Sequence, residues 1–219
     1  MSLEFVREIG CSFLLLLVSN SCFASCEIAS DSRIDSKLEI ELQGLCNRLS
    51  YKVPQNKLFV LYVSDKDKEV NAYAFEKDKY SVIYITDPIL RVHSYDPRLL
   101  AFVIGHEMGH HALGHVTETW QTKLTDRIKL AISSTYGADA LGYGNLAKFS
   151  IKSADNHYSR KQELDADNYA KNLVISAGFQ MQDVLDSLNI LLSLSNDSRF
   201  KSFFSSHPDT QLRISNVQK

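Results

Sequence analysis

A chain of 219 residues with 44% hydrophobic and 23% charged side chains can build one sizeable core, which excludes a disordered or fibrous polymer. A formal charge of -2 at pH 7 gives no basic footprint, so nucleic acid is not an expected partner. No internal repeat, heptad or low-complexity tract is present, which excludes repeat architectures.

Residues 11–18 form an apolar run, too short for a membrane span of about 20 residues but of the length of a signal-peptide core. Cys22-Phe23-Ala24 fits a small-x-small cleavage site, so residues 1–25 are expected to be a signal peptide and 26–219 a single domain. Arg7 is offset by Glu4 and Glu8, a poor positive start for a signal, and an uncleaved anchor or a buried segment stays open. Phe23-Ala24-Ser25-Cys26 is also a loose lipobox, which would make Cys26 a membrane-surface tether. Without a lipid, Cys26 and Cys46 are either a disulfide or two separate thiols. An exported protein, periplasmic or surface-anchored if bacterial, is the expectation.

Apolar residues at Ile34, Leu38, Leu42, Leu45 and Leu49 predict a helix capped by Asp31. Pro54 ends that pattern, and strands are predicted at Leu58 to Val63, Val70 to Phe75 and Tyr80 to Thr86, the last two as a hairpin whose turn lacks glycine. Asp87-Pro88 and Asp96-Pro97 each read as a helix cap followed by proline in the first turn. Further helical patterns run through Trp120, Leu124, Ile128 and Ile132, from Leu146 to Ala154, Ser159 to Ala177 and Gln182 to Ser195, and after Pro208. Gly137 to Gly144 reads as a mobile loop, and Gly178 as a helix cap. The expected fold is α+β, mostly helical, with a small antiparallel sheet against the helices that carry the site.

The second Asp-Pro helix contains His106-Glu107-Met108-Gly109-His110. At ~100° per residue His106 and His110 lie ~40° apart, so both imidazoles can reach one zinc ion, with Glu107 beside them as general base for a water. This pattern implies hydrolysis. A catalytic zinc takes a third side-chain ligand, and Glu163 is the best candidate. Asp167 lies one helical turn further on, placed to fix the orientation of a liganding imidazole. His111 and His115 fall ~140° and ~180° from His106 and cannot share the metal on a regular helix, so they read as surface or locally hydrogen-bonded. His93 and His157 read as structural or exposed.

Asn71-Ala72-Tyr73-Ala74, His106-Glu107-x-x-His110, Glu163-x-x-x-Asp167 and Ser206-His207-Pro208 together resemble, in order and spacing, the gluzincin family of M48-type metalloendopeptidases, HtpX-like and CaaX-prenyl-protease-like, from about Leu45 to Ile214. The resemblance implies one zinc per chain on His106, His110 and Glu163, Glu107 as base, and Asp167 behind a ligand. It implies substrate pairing along Asn71, Ala72, Tyr73 and Ala74, and oxyanion stabilisation by His207 with Arg160. It departs from relatives at Glu76-Lys77-Asp78-Lys79, where a glycine is common, and it lacks the long transmembrane helices of polytopic members. A small soluble or lipid-anchored envelope endopeptidase acting on misfolded polypeptides is the implied function. Two readings of other classes stand beside it: a closed structural zinc site, and a holdase or assembly factor that binds extended chains.

Overall fold

The computed structural model describes residues 24–30, 34–53, 57–77, 79–116, 158–208 and 210–219. The expected signal segment (apart from its last residues), the Asp31 cap, Pro54, the patterns from Trp120 to Ala154, the Gly137 to Gly144 loop and His157 lie outside them. In chain order come β1 (Ser25–Ser30), α1 (Ser36–Ser50), β2 (Leu58–Ser64), β3 (Ala72–Lys77), β4 (Tyr80–Thr86), α2 (Asp87–Val92) and α3 (Pro97–Ala112). After residue 157 follow α4 (Arg160–Ser176), α5 (Met181–Ser193), a 3-10 turn (Ser198–Phe200), α6 (Lys201–Ser206) and α7 (Thr210–Val217). The α+β class is as expected. Among the described residues no helix is long and apolar enough to cross a membrane.

The sheet is mixed rather than antiparallel. Its order is β1-β2-β4-β3, with β1, β2 and β4 parallel and only the β3–β4 hairpin antiparallel. Parallel neighbours need a crossover, and α1 supplies one between β1 and β2. β3 then runs out to the edge and β4 folds back between it and β2, so among the described residues no strand pairs with the other side of β3. Phe59, Leu61, Val63, Ala72, Ile83 and Ile85 join the core with α3.

Local chemistry sets the helix starts. Asp35 rather than Asp31 caps α1, its Oδ1 accepting from the N–H of Lys37 at 2.9 Å and of Leu38 at 3.2 Å. Thr86 is the N-cap of α2, and Asp87 sits inside the first turn, where it pairs with Arg91 at 2.7 Å and accepts from the Tyr95 hydroxyl at 2.9 Å. Asp96 caps α3 as expected, and Ser159 with Gln162 forms a capping box on α4. Gly178 takes φ +84° after α4, the left-handed conformation in which glycine carries no side-chain penalty.

Cys26 on β1 and Cys46 on α1 form a disulfide, with their Cα atoms 5.8 Å apart. That overturns the tether through Cys26, because a sulfur bonded to its partner has no thiol left for an acyl chain.

Helix α3 is buried from Leu100 to His111 on every side, as an apolar helix in the middle of a fold must be. It crosses α4 at backbone contact. A Cβ on Gly109 would lie 3.0 Å from the carbonyl oxygen and 3.3 Å from the Cα of Ala166, whereas one on Gly105 would meet only side-chain methyls and a Cα at 3.4 to 3.7 Å. Gly109→Ala should therefore force the helices apart and cost about 1–3 kcal/mol. Gly105→Ala should be neutral, or stabilising by up to about 1 kcal/mol through helix propensity. Urea unfolding of the two variants tests this: equal losses would show that the crossing is not set at Gly109.

Candidate metal centre

The close crossing of α3 and α4 brings four predicted residues together. His106 and His110 point from α3, and Glu163 and Asp167 from α4, all of them 3% exposed or less. The Nε2 atoms of His106 and His110 are 3.0 Å apart. Glu163 places Oε1 at 3.2 Å from His110 Nε2 and Oε2 at 3.6 Å from His106 Nε2. With His207 these residues form a buried group whose candidate ligand atoms all lie within 4.8 Å of one another.

Hydrogen bonding behind the group decides how the imidazoles face it. His106 Nδ1 lies 2.8 Å from Asp167 Oδ1, so that nitrogen carries a proton and Nε2 is the atom turned inward. His110 Nδ1 lies 3.0 Å from His115 Nδ1. His115 reaches that position because α3 stops at Ala112 and Gly114 takes φ +68°, turning the chain back on itself. The expectation of a local hydrogen bond thus describes His115, but not His111. His111 is buried and faces the sheet, where Nε2 donates to the Val82 carbonyl at 3.0 Å and the ring meets Phe59 edge-on. Its bond to Glu76 is the main reason that this carboxyl is held down at about 2. His93 is buried between the Ile89 carbonyl at 2.9 Å and the Ser187 hydroxyl at 3.2 Å, a structural placement.

Arg160, which sequence reasoning expected beside the site, is exposed in the first turn of α4, three residues before Glu163. The arginine at the centre is Arg213 of α7, which binds Asp167 in a two-point fork at 2.7 Å per contact and comes within 3.4 Å of Glu163. A signal for it exists in the sequence. Thr210, Arg213, Ile214 and Val217 share the buried face of α7, so an arginine occupies an apolar stripe.

His207 follows α6, a short helix that the sequence pattern did not reveal. Its Nδ1 lies 3.2 Å from Glu163 Oε2, and its Nε2 lies 3.1 Å from the Ala72 carbonyl oxygen and 3.7 Å from Glu107 Oε1. Asn71 offers its carbonyl to the Thr86 N–H, so Asn71 and Tyr73 face β4 while the backbone groups of Ala72 and Ala74 turn to the open edge. Tyr158, also unforeseen, stacks on His110 with ring centroids 3.5 Å apart.

Burial and charge work against each other here. Burial and Arg213 push the His106 imidazole down, but Glu163 and Asp167 outweigh them and lift it to about 9. Burial drives His110 well below its ordinary value. Glu163 stays well below the usual carboxylate range, because His207, His106 and Arg213 outweigh its burial. Glu107 is raised, chiefly by burial, and its Oε2 has no hydrogen-bond partner among the described residues.

Two imidazole nitrogens and a carboxylate converge at 3.0 to 3.6 Å, held in the metal-free chain by the His106 proton, which a cation between them would displace. Two imidazoles with one carboxylate are a common set for catalytic zinc, so the residues fit that ion. The model for peptidase family M48 matches residues 34–219. The chain belongs to peptidase family M48. Metalloprotease LoiP of Escherichia coli (strain K12) is 33% identical over 118 residues, 53% of this chain and 46% of the relative. Metalloprotease YcaL of the same organism matches with the same identity and coverage. CAAX prenyl protease 1 homolog of Dictyostelium discoideum is 26% identical over 211 residues, 85% of this chain and 48% of the relative. The chain thus spans about half the length of the curated relatives it matches. M48 metalloproteases are zinc-dependent, in keeping with the donor set.

The fork to Arg213 makes an acid-side prediction. Burial would raise the Asp167 carboxyl, but Arg213 and His106 hold it at about 2 against an ordinary 3.8. A depressed acid contributes stability that is complete above about pH 4 and disappears as the pH falls through about 2. The melting temperature of the metal-free chain should fall across that window, and Asp167→Asn should flatten the fall. An identical slope in the variant would place the acid lability elsewhere.

Proposed function

We propose that this chain is a zinc-dependent endopeptidase that cleaves extended polypeptides. The observation that carries the reading is the convergence of His106, His110 and Glu163 around one point, with the Glu107 carboxylate buried beside it. His106, His110 and Glu163 hold the zinc, one per chain, which when bound polarises the scissile carbonyl and acidifies water. Glu107 takes the proton from the attacking water and passes it to the leaving amine, a task suited to a carboxylate whose pKa burial has raised. Asp167 fixes His106, and Arg213 fixes Asp167. His207 carries an Nε2 within 3.7 Å of Glu107 and supports the oxyanion.

Substrate lies along β3, the sheet edge, where the outward backbone groups of Ala74, beyond the Ala72 carbonyl that His207 occupies, pair with an extended segment. Recognition through backbone groups is indifferent to sequence and demands an unfolded chain, which supports a role in clearing misfolded proteins. The Cys26–Cys46 bridge and the apolar run at 11–18 support export to an oxidising compartment, the periplasm or a membrane surface if the source is bacterial.

Cleavage of casein by the purified chain, with bound zinc quantified beside Glu107→Gln, tests the assignment. The variant should keep its zinc and lose activity by a factor of about 100 to 10,000. A zinc-loaded native chain that cleaves nothing, or a variant as active as the native chain, would overturn it.

A further inference from the structure

Tyr158 precedes α4 and has no part in the assignments above. It is 8% exposed, its hydroxyl oxygen is inaccessible, and that oxygen has no hydrogen-bond partner among the described residues. A buried hydroxyl without a partner is costly, and folds seldom keep one that does nothing. The ring explains its own burial. It lies over His110 at an interplanar angle of 15° and comes within 6.0 Å of the His207 ring, so the phenol is rigidly stacked at the candidate centre.

A second polar atom at the same place is also unpartnered, Oε2 of Glu107. One group is a donor and the other an acceptor, yet they are not bonded to each other. Arg213 Nη1 also lacks a hydrogen bond but is paired with Glu163 at 3.4 Å. A reactant can complete the phenol and Glu107 Oε2 by bringing the opposite pair: a water with a proton to give, and a carbonyl oxygen that gains charge. A phenol ordinarily titrates at about pH 10, so at neutral pH the hydroxyl is a donor.

We infer that Tyr158 is a catalytic residue whose hydroxyl donates a hydrogen bond to the carbonyl oxygen of the scissile peptide as water adds to it. The inference rests on the endopeptidase reading and adds a donor that the family motifs do not include. In the addition step the water oxygen bonds to the carbonyl carbon, the water proton passes to Glu107, and the carbonyl π pair moves onto oxygen. Tyr158 and His207 stabilise that oxygen by hydrogen bonding. In the second step the C–N bond breaks, Glu107 returns the proton to the leaving nitrogen, and the C=O bond reforms. Tyr158 keeps its own proton throughout.

Tyr158→Phe retains the ring and its stack on His110 and removes only the hydroxyl, so it separates catalysis from packing. With the zinc-loaded full chain and a peptide substrate, kcat should fall about 100- to 1,000-fold while KM stays within about twofold. Zinc stoichiometry and melting temperature should match the native chain. The independent readout is inhibitor affinity: a phosphinic peptide, which mimics the tetrahedral oxyanion, should bind the variant more weakly by a comparable factor, and a cleavage product of the same sequence should bind equally well. Native kcat and native phosphinic affinity in Tyr158→Phe would reduce Tyr158 to packing. A fall in kcat that tracks lost zinc would make it a support for His110, which also overturns the inference. A native chain that cleaves nothing would instead fail the endopeptidase reading itself.

Discussion

The contact on which the rest depends is the crossing of α3 and α4 at backbone distance. Metal ligands on two helices converge only if the helix axes come close enough for an imidazole and a short carboxylate to meet. Gly109 against Ala166 makes that approach, and His106, His110 and Glu163 lie within a turn of it on either side. The sheet holds α3 from the opposite flank, α1 and α5 close the remaining sides, and α7 packs on α4 and α5. A helix so enclosed has little freedom to tilt, and its ligands share that rigidity.

Rigid burial has an electrostatic cost, and the site meets it by pairing. Glu163, Asp167 and Arg213 are all nearly inaccessible, and isolated charges would not persist there. Arg213 faces both carboxylates, Asp167 faces His106, and His207 faces Glu163. Each charge therefore orients its neighbour as well as neutralising it, and a ligand is held by a chain of partners that begins on α7. Glu107 Oε2 and the Tyr158 hydroxyl are among the buried atoms left without a hydrogen bond, and they are the ones for which an arriving reactant has a use.

The sheet contributes by topology. Because β4 inserts between β2 and β3, β3 stays at the edge beside α3, and His207 reaches it through the Ala72 carbonyl. Edge strand and ligand helices are thereby fixed in one frame. The same hydrogen bond occupies one of the outward acceptors of β3, leaving the outward groups of Ala74 further along.

The sequence by itself determined most of the elements and the candidate ligand set. Period and caps located most of the helices and the hairpin, and the spacing of His106, Glu107 and His110, with Glu163 and Asp167 a turn apart, names residues that a single helix face must bring together. It did so because these relations are local, fixed by helical geometry within one segment. Relations between segments were decided only in three dimensions. The parallel pairing of β1 and β2 depends on a crossover, the pairing of Cys26 with Cys46 on where α1 lands, and the burial of His111 on the sheet lying beside α3. The burial of Arg213 has the same origin: fifty residues from Glu163, it is carried in on the apolar face of α7, because long-range packing, not chain proximity, decides which charges share a buried space.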